Sequence, residues 1–264
     1  MSVNVQFITS PEAFGQYRAP LARALAEHGI EARIGTDLPP ESVDYIVYAP
    51  SGGTPDLTPY RRARAALGLW AGVETIVTNP TLTIPYARMV DAGLTQGMVE
   101  YVTGHVLRHH LGMDQDICRR DARWQRHVPP LASDRGVGVL GLGELGGACA
   151  KSLAGLGFRV TGWSRRARAI DGVETHAGPG GLDRVLERAE ILVLLLPLTP
   201  ATETLMNAER IARLPRGAVV INPGRGALID DDALLAALDS GQLSHATLDT
   251  FRTEPLPPEH PFWA

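Results

Sequence analysis

The stretch GVGVLGLGELGG, Gly136 to Gly147, decides the fold. A short apolar strand runs directly into Gly141-x-Gly143-x-x-Gly146, and an Ala/Leu-rich helix is predicted from Glu144 to about Leu156. Strand, turn and helix in that order give three glycines a purpose. The first permits the tight turn, the second lets a pyrophosphate approach the backbone, and the third lets helix and strand pack closely. The helix start offers N–H groups and positive partial charge to phosphates, so Gly141, Leu142, Gly143, Glu144, Leu145 and Gly146 are cofactor-binding candidates. The next strand, Phe158 to Trp163, ends at Ser164-Arg165-Arg166, with Ser164 lying 18 residues past Gly146. A carboxylate there would hold the ribose 2′-OH of NAD and repel a 2′-phosphate. A hydroxyl followed by two guanidinium groups suits the phosphate instead, so NADP(H) is expected ahead of NAD(H).

The chain around this stretch is ordinary for a globular protein. Its 264 residues suit one large or two modest domains, with 44% apolar and 20% charged residues. A net charge of −4 offers no basic footprint for nucleic acid or for an anionic membrane surface. Lys151 is the only lysine among 25 basic residues, which leaves few candidates for Schiff-base chemistry. Cys118 and Cys149 sit in no metal-binding or redox pattern. The longest apolar run, Ile191 to Leu196, is too short to span a bilayer and reads as a buried parallel strand. With no leader pattern after Met1, a cytoplasmic location is expected.

Two α/β units are predicted. In the first, strands read at Val3–Thr9, Glu31–Ile34, Val43–Ala49 and Glu74–Thr78. One helix begins near Ala19-Pro20 and stops at Gly29, and a second, Arg/Ala-rich helix spans Pro59 to Leu69. Residues 79–95 lack strong periodicity. The second unit opens with a helix from Gln96 to about Leu111, its apolar stripe marked by Met98, Val102 and Val106. A polar loop, Cys118 to Arg135, precedes the fingerprint. Further strands follow at Arg159–Ser164, Ile191–Pro197, Ala218–Pro223 and His245–Phe251, with helices at Leu182–Ala189, Ala208–Leu214 and Asp231–Asp239. The expected division is residues 1–96 and 97–264.

Eight segments carry a resemblance to one family. They are Leu69-Trp-Ala-Gly-Val-Glu74, Ile84-Pro-Tyr-Ala-Arg88, Gln96-Gly-Met-Val-Glu-Tyr-Val102, the fingerprint, Trp163-Ser-Arg165, Leu196-Pro-Leu-Thr-Pro-Ala-Thr202, Asn222-Pro-Gly-Arg-Gly226 and Leu248-Asp-Thr-Phe-Arg-Thr-Glu-Pro-Leu-Pro-Pro258. In series they resemble the D-isomer-specific 2-hydroxyacid dehydrogenases, most closely the glyoxylate/hydroxypyruvate reductase branch. The resemblance implies an α/β fold of two parallel-sheet domains, Rossmann-like and flavodoxin-like, with an active-site cleft between them. It implies a substrate domain followed by an NADP-binding domain, and a homodimer for which the loop holding Trp124 is the candidate contact surface.

The same resemblance assigns roles. Backbone N–H groups of Ala71, Gly72 and Val73 would take the substrate carboxylate, where a glycine leaves the approach open. Arg225, just past a strand's carboxyl end, would hold the 2-keto acid and polarise its carbonyl, work suited to a permanently charged bidentate donor. Glu254 would pair with a histidine and keep it protonated as the proton donor. Asp249 would contact the nicotinamide carboxamide, and Leu196, Pro197, Thr202, Pro223 and Gly224 the riboses and phosphates. The family's Pro-His segment lies past Ala264, so the chain is expected to stop before the histidine and before the C-terminal helices that complete the first domain. His260 is the nearby substitute to consider. His105 and His109 share a helical face at a metal-ligand spacing, but no third ligand accompanies them and no metal is expected. Pro223 and Gly224 replace the family's usual residues before the arginine.

The leading expectation is NADPH-dependent reduction of a small 2-keto acid, glyoxylate to glycolate or hydroxypyruvate to glycerate, by hydride transfer. Two alternatives stand beside it: a catalytically silent NADP(H)-binding or sensing protein on the same scaffold, and a dehydrogenase for another D-2-hydroxy acid.

Overall fold

The computed structural model describes residues 2–50, 54–119 and 121–263. Two compact units divide it, Met1–Val90 and Asp91–Ala264. The last residue of the motif-bearing tail, Ala264, and residue 120 of the polar loop lie outside the described set.

The first unit contains β1 (Ser2–Ile8), α1 (Pro11–Glu27), β2 (Glu31–Gly35), β3 (Tyr45–Tyr48), β4 (Ala65–Gly68), α2 (Glu74–Val77) and β5 (Tyr86–Ala87). All its strand pairings are parallel, in the order β2-β1-β3-β4-β5. Alternate residues of β3 serve opposite faces: Ile46 and Tyr48 pack with Ile76, whereas Val47 packs with Val5 and Phe7.

Three local readings are corrected here. Helix α1 starts at Pro11, not near Pro20, because the Ser10 hydroxyl caps it by accepting from the Ala13 amide at 3.2 Å. Pro20 lies inside the helix, which nonetheless runs on until Gly29 turns the chain at φ +70°. The stretch predicted as a helix over 59–69 forms turns and then β4, since parallel pairing of Ala65–Gly68 with Tyr45–Tyr48 overrides its Arg/Ala composition. Conversely, Glu74–Val77, β-branched from residue 75 on, forms one helical turn, whose Ile76 is buried in the core.

The second unit opens with α3 (Ala92–His110), capped by the Asp91 carboxylate at 3.1 Å from the Gly93 amide. The predicted boundary after residue 96 falls inside this helix. There follow α4 (Met113–Ile117), β6 (Gly136–Leu140), α5 (Glu144–Gly155), β7 (Arg159–Ser164), β8 (Glu174–Ala177), α6 (Pro179–Leu186), β9 (Ile191–Leu194), α7 (Ala208–Ile211), β10 (Ala218–Asn222), α8 (Asp231–Asp239) and β11 (Leu243–Leu248). The six strands are parallel, in the order β11-β10-β9-β6-β7-β8. That is the doubly wound order, and its direction reverses between β6 and β9. Strands β6, β9 and β10 are buried throughout, as central strands with both faces covered must be. On one face Val102 and Val106 of α3 pack with Cys149 and Leu153 of α5; on the other, α6, α7 and α8 supply Val185, Ile211 and Leu234. Among the described residues no helix is long and apolar enough to cross a membrane.

Candidate functional site

In the second unit the reversal of strand order opens a crevice at the carboxyl ends of β6 and β9, and the fingerprint occupies it. Each glycine there has its own reason. Gly141 turns at φ +105°, donates its amide to Trp163 at 2.8 Å, and has the Leu195 carbonyl where a Cβ would stand. Gly146 lies so close that a Cβ would run into the Gly141 carbonyl oxygen. Gly143 differs, because a Cβ built on it meets nothing within 4 Å. It faces open space at the helix start. The amides of Leu142, Gly143, Glu144 and Leu145 donate to no acceptor among the described residues. A cradle of unpaired N–H groups beside a position kept clear of side chain fits a dinucleotide pyrophosphate.

The end of β7 carries no carboxylate. The Ser164 hydroxyl donates to the Arg166 carbonyl at 2.7 Å, which closes a turn from which Arg165 and Arg166 extend into solvent. Neither guanidinium has a carboxylate partner among the described residues. Beyond β9, Leu196 is buried, and the Thr202 hydroxyl ties its own loop by accepting from the Thr199 amide at 2.8 Å and donating to the Pro197 carbonyl at 2.7 Å.

Arg225 and Glu254 follow β10 and β11, and their loops are pressed together. A Cβ at Gly226 would collide with the backbone of Phe251 and Arg252. Asn222 organises the first loop: its Nδ2 donates to the Arg225 carbonyl at 2.9 Å, and its Oδ1 accepts from the Gly224 amide at 3.2 Å. Its backbone carbonyl also accepts from the Asp249 amide at 3.1 Å. Arg225 itself is half-buried, with one guanidinium N–H donated to the Gly224 carbonyl at 2.8 Å. Pro223 and Gly224 are buried, and Asp249 is exposed. Glu254 accepts from the Phe251 amide at 2.9 Å through one oxygen, and its second oxygen takes no bond from the described residues. His260 makes no hydrogen bond to Glu254; its Nδ1 accepts from the Phe262 amide at 3.3 Å and its ring lies against Phe262.

Two residues belong beside these that the sequence did not single out. Asn222 was visible only as the first letter of a motif. Tyr101 is the other: burial, and then the Asp249 carboxylate, hold its phenol above the ordinary value. Among the described residues no third metal-binding side chain joins His105 and His109. His105 lies against the Tyr101 ring, and His109 bonds to Thr247.

In the first unit, Ala71, Gly72 and Val73 form the turn between β4 and α2, at the carboxyl end of that sheet. The Leu69 amide donates to the Tyr48 carbonyl at 2.9 Å and the Trp70 carbonyl accepts from Met89 at 3.2 Å, so the turn is held from both sides. The amides of Ala71, Gly72 and Val73 donate to no acceptor among the described residues. Three successive unpaired N–H groups are a ready partner for a carboxylate.

A doubly wound sheet with a phosphate cradle at its switch point defines a dinucleotide-binding protein. Residues 103–264 match the family model described as the D-isomer specific 2-hydroxyacid dehydrogenase NAD-binding domain. Glyoxylate/hydroxypyruvate reductase A of Serratia proteamaculans is 39% identical over 210 residues, covering 76% of this chain and 67% of that protein. A D-isomer specific 2-hydroxyacid dehydrogenase from Xanthobacter autotrophicus, solved with NADPH and MES, is 38% identical with a TM-score of 0.91, over 99% of this chain and 84% of that one. An NADPH-dependent glyoxylate/hydroxypyruvate reductase of Sinorhizobium meliloti, solved with NADP and sulfate, is 37% identical with a TM-score of 0.83 over the same shares. The chain belongs to the D-isomer specific 2-hydroxyacid dehydrogenase family, and is a pyridine-nucleotide-dependent oxidoreductase.

Proposed function

We propose that this protein reduces a small 2-keto acid, glyoxylate or hydroxypyruvate, to the D-2-hydroxy acid and prefers NADPH as reductant. The observation that carries the reading is the run of amides at Ala71–Val73 that meet no acceptor among the described residues, which suits a substrate carboxylate. The names of the Serratia and Sinorhizobium relatives support the substrate class. Preference for the phosphorylated cofactor rests on Ser164, Arg165 and Arg166 at the end of β7.

Bound against Gly141–Gly146, the nicotinamide cofactor would supply the hydride. The chain's own residues bind and orient the reactants. Arg225 takes the keto acid through its guanidinium and stabilises negative charge growing on the carbonyl oxygen. Asn222 keeps that loop in one geometry. Asp249 orients the carboxamide, Thr202 and Leu196-Pro197 line the cofactor's path, and the open oxygen of Glu254 would accept from a proton-donating imidazolium, the partner that the family resemblance gives it. The exposed apolar residues Ile117, Trp124, Val128 and Leu131 fit a contact between two copies, and a cytoplasmic homodimer is part of the proposal.

The test is oxidation of NADPH and of NADH with glyoxylate and hydroxypyruvate, for the wild type and Arg225→Ala. Acid-dependent oxidation favouring NADPH is expected, with kcat/KM falling about a hundredfold or more in the variant while NADPH still binds. NADPH binding without oxidation by any acid would overturn it.

A further inference from the structure

The turn from Leu69 to Val73 is anchored in two different cores. Leu69 packs on the cluster of Val5, Phe7 and Val47, and Val73 on the cluster of Ile46 and Ile76 across the sheet. Trp70, between them, packs in neither. It is 48% exposed, and its indole N–H finds no acceptor among the described residues. Its backbone is nonetheless fixed, through the Met89 amide on its carbonyl and the Leu69 amide on Tyr48. A firmly rooted backbone therefore carries the bulkiest of side chains half into solvent, next in sequence to three amides that meet no acceptor among the described residues. Left alone, such a side chain forgoes the apolar contact that normally stabilises a tryptophan. At the edge of a ligand site it acquires a use, because aromatic walls give small-molecule pockets their shape.

We propose that Trp70 is a specificity-determining residue whose indole limits the length of the 2-keto acid held at Ala71–Val73. This rests on the reductase reading above. A carboxylate on the Ala71 amide would lie one residue along the chain from Trp70, and in this proposal the carbons beyond the keto group meet the ring. A two- or three-carbon acid fits without moving it. A longer or branched acid has to displace it, and a single methylene against a pocket wall changes discrimination by about tenfold or more.

Two measurements on the wild type, Trp70→Phe and Trp70→Ala test this. With saturating NADPH, the ratio of kcat/KM for 2-oxobutanoate over glyoxylate is expected to rise about tenfold in Trp70→Ala and less in Trp70→Phe. In the protein loaded with NADP+, oxalate binding is followed by calorimetry and by tryptophan emission. Wild-type emission is expected to change on binding, and Trp70→Phe to bind oxalate with that change lost. An unaltered ratio, or an unaltered emission response, with oxalate still bound overturns the role of Trp70 and leaves the reductase reading in place. A wild-type protein that neither reduces any of these acids nor binds oxalate overturns that reading, and this inference with it.

Discussion

His109 Nε2 lies 2.8 Å from the hydroxyl of Thr247, which ties the last turn of α3 to β11. Burial, then the neighbouring His245 and Arg108, push the His109 imidazole down to about 4. The folded value is below the unfolded one of about 6.5, so the unfolded chain takes up the proton first as pH falls. The stabilisation is complete above pH 6.5 and drains away as pH drops towards 4. His105 and His110, also lowered chiefly by burial, act in the same direction. Between pH 6.5 and 5 the wild-type Tm is expected to fall by about 3 °C more than that of His109→Gln, followed by circular dichroism. Parallel Tm curves for the two proteins would show that His109 carries none of this dependence.

Gly143 and Gly146 separate cofactor binding from folding. A methyl group at Gly143 enters open space at φ −74°, a conformation any residue adopts, so Gly143→Ala is expected to hold its Tm within about 2 °C. In the proposed cradle the same methyl group would meet the phosphate oxygens, and NADPH affinity is expected to fall about tenfold or more. At Gly146 the methyl group meets the Gly141 carbonyl, and the variant loses about 1–3 kcal/mol of stability by overpacking. Titration calorimetry and thermal melts on both variants check the contrast. Equal loss of stability in the two would remove the distinction.

What could be read from the sequence followed physical type. The fingerprint turn was legible because Gly141 and Gly146 answer to local geometry, and β6, β9 and β10 because buried parallel strands are written as continuous apolar runs. Where a neighbour decides, the pattern misled. Ala65–Gly68 is extended because Tyr45–Tyr48 pairs with it, and Glu74–Val77 coils because Ile76 has a core to reach. Strand β8 went unread, since an edge strand of Glu174-Thr-His-Ala177 has no apolar alternation to display. In the site, Arg225 and Glu254 stood out through the family resemblance, whereas the bracket formed by Asn222 depends on contacts across a loop that spacing cannot show.

Asn222 is 1% exposed and both ends of its amide are used on the Arg225 loop. Asn222→Ala takes its acceptor from the buried Gly224 amide and one donor from the Arg225 carbonyl, which keeps the Leu228 amide at 3.1 Å, and a loss of about 1–2 kcal/mol is expected in urea unfolding. Because the bracket also fixes the backbone that carries Arg225, KM for the keto acid should rise about tenfold. Asn222→Asp tests the two halves of the bracket separately, since it keeps an acceptor for Gly224 and loses the donor to Arg225. Its stability should lie between those of the wild type and Asn222→Ala. If Asn222→Ala leaves both stability and KM unchanged, the bracket has no part in the site.

The 2′-phosphate role proposed for Arg165 can be tested separately from the rest of the site. It is exposed after β7, in a turn closed by Ser164, and no carboxylate of the described residues neutralises it. A guanidinium so placed gains little from the fold. Its effect should therefore appear almost entirely in binding, and only to the partner that carries the 2′-phosphate. A charge-assisted bond to phosphate contributes about 1.5–3 kcal/mol, so Arg165→Ala should weaken NADPH about ten- to a hundredfold and leave NADH nearly untouched. The same phosphate contact is screened by salt, so the wild-type preference for NADPH should narrow as ionic strength rises, and Arg165→Ala should respond less. Arg165→Lys keeps the charge but not the planar fork, and should fall between the two. Equal weakening of both cofactors in Arg165→Ala would take the 2′-phosphate away from this residue and leave Arg166 as the guanidinium to examine.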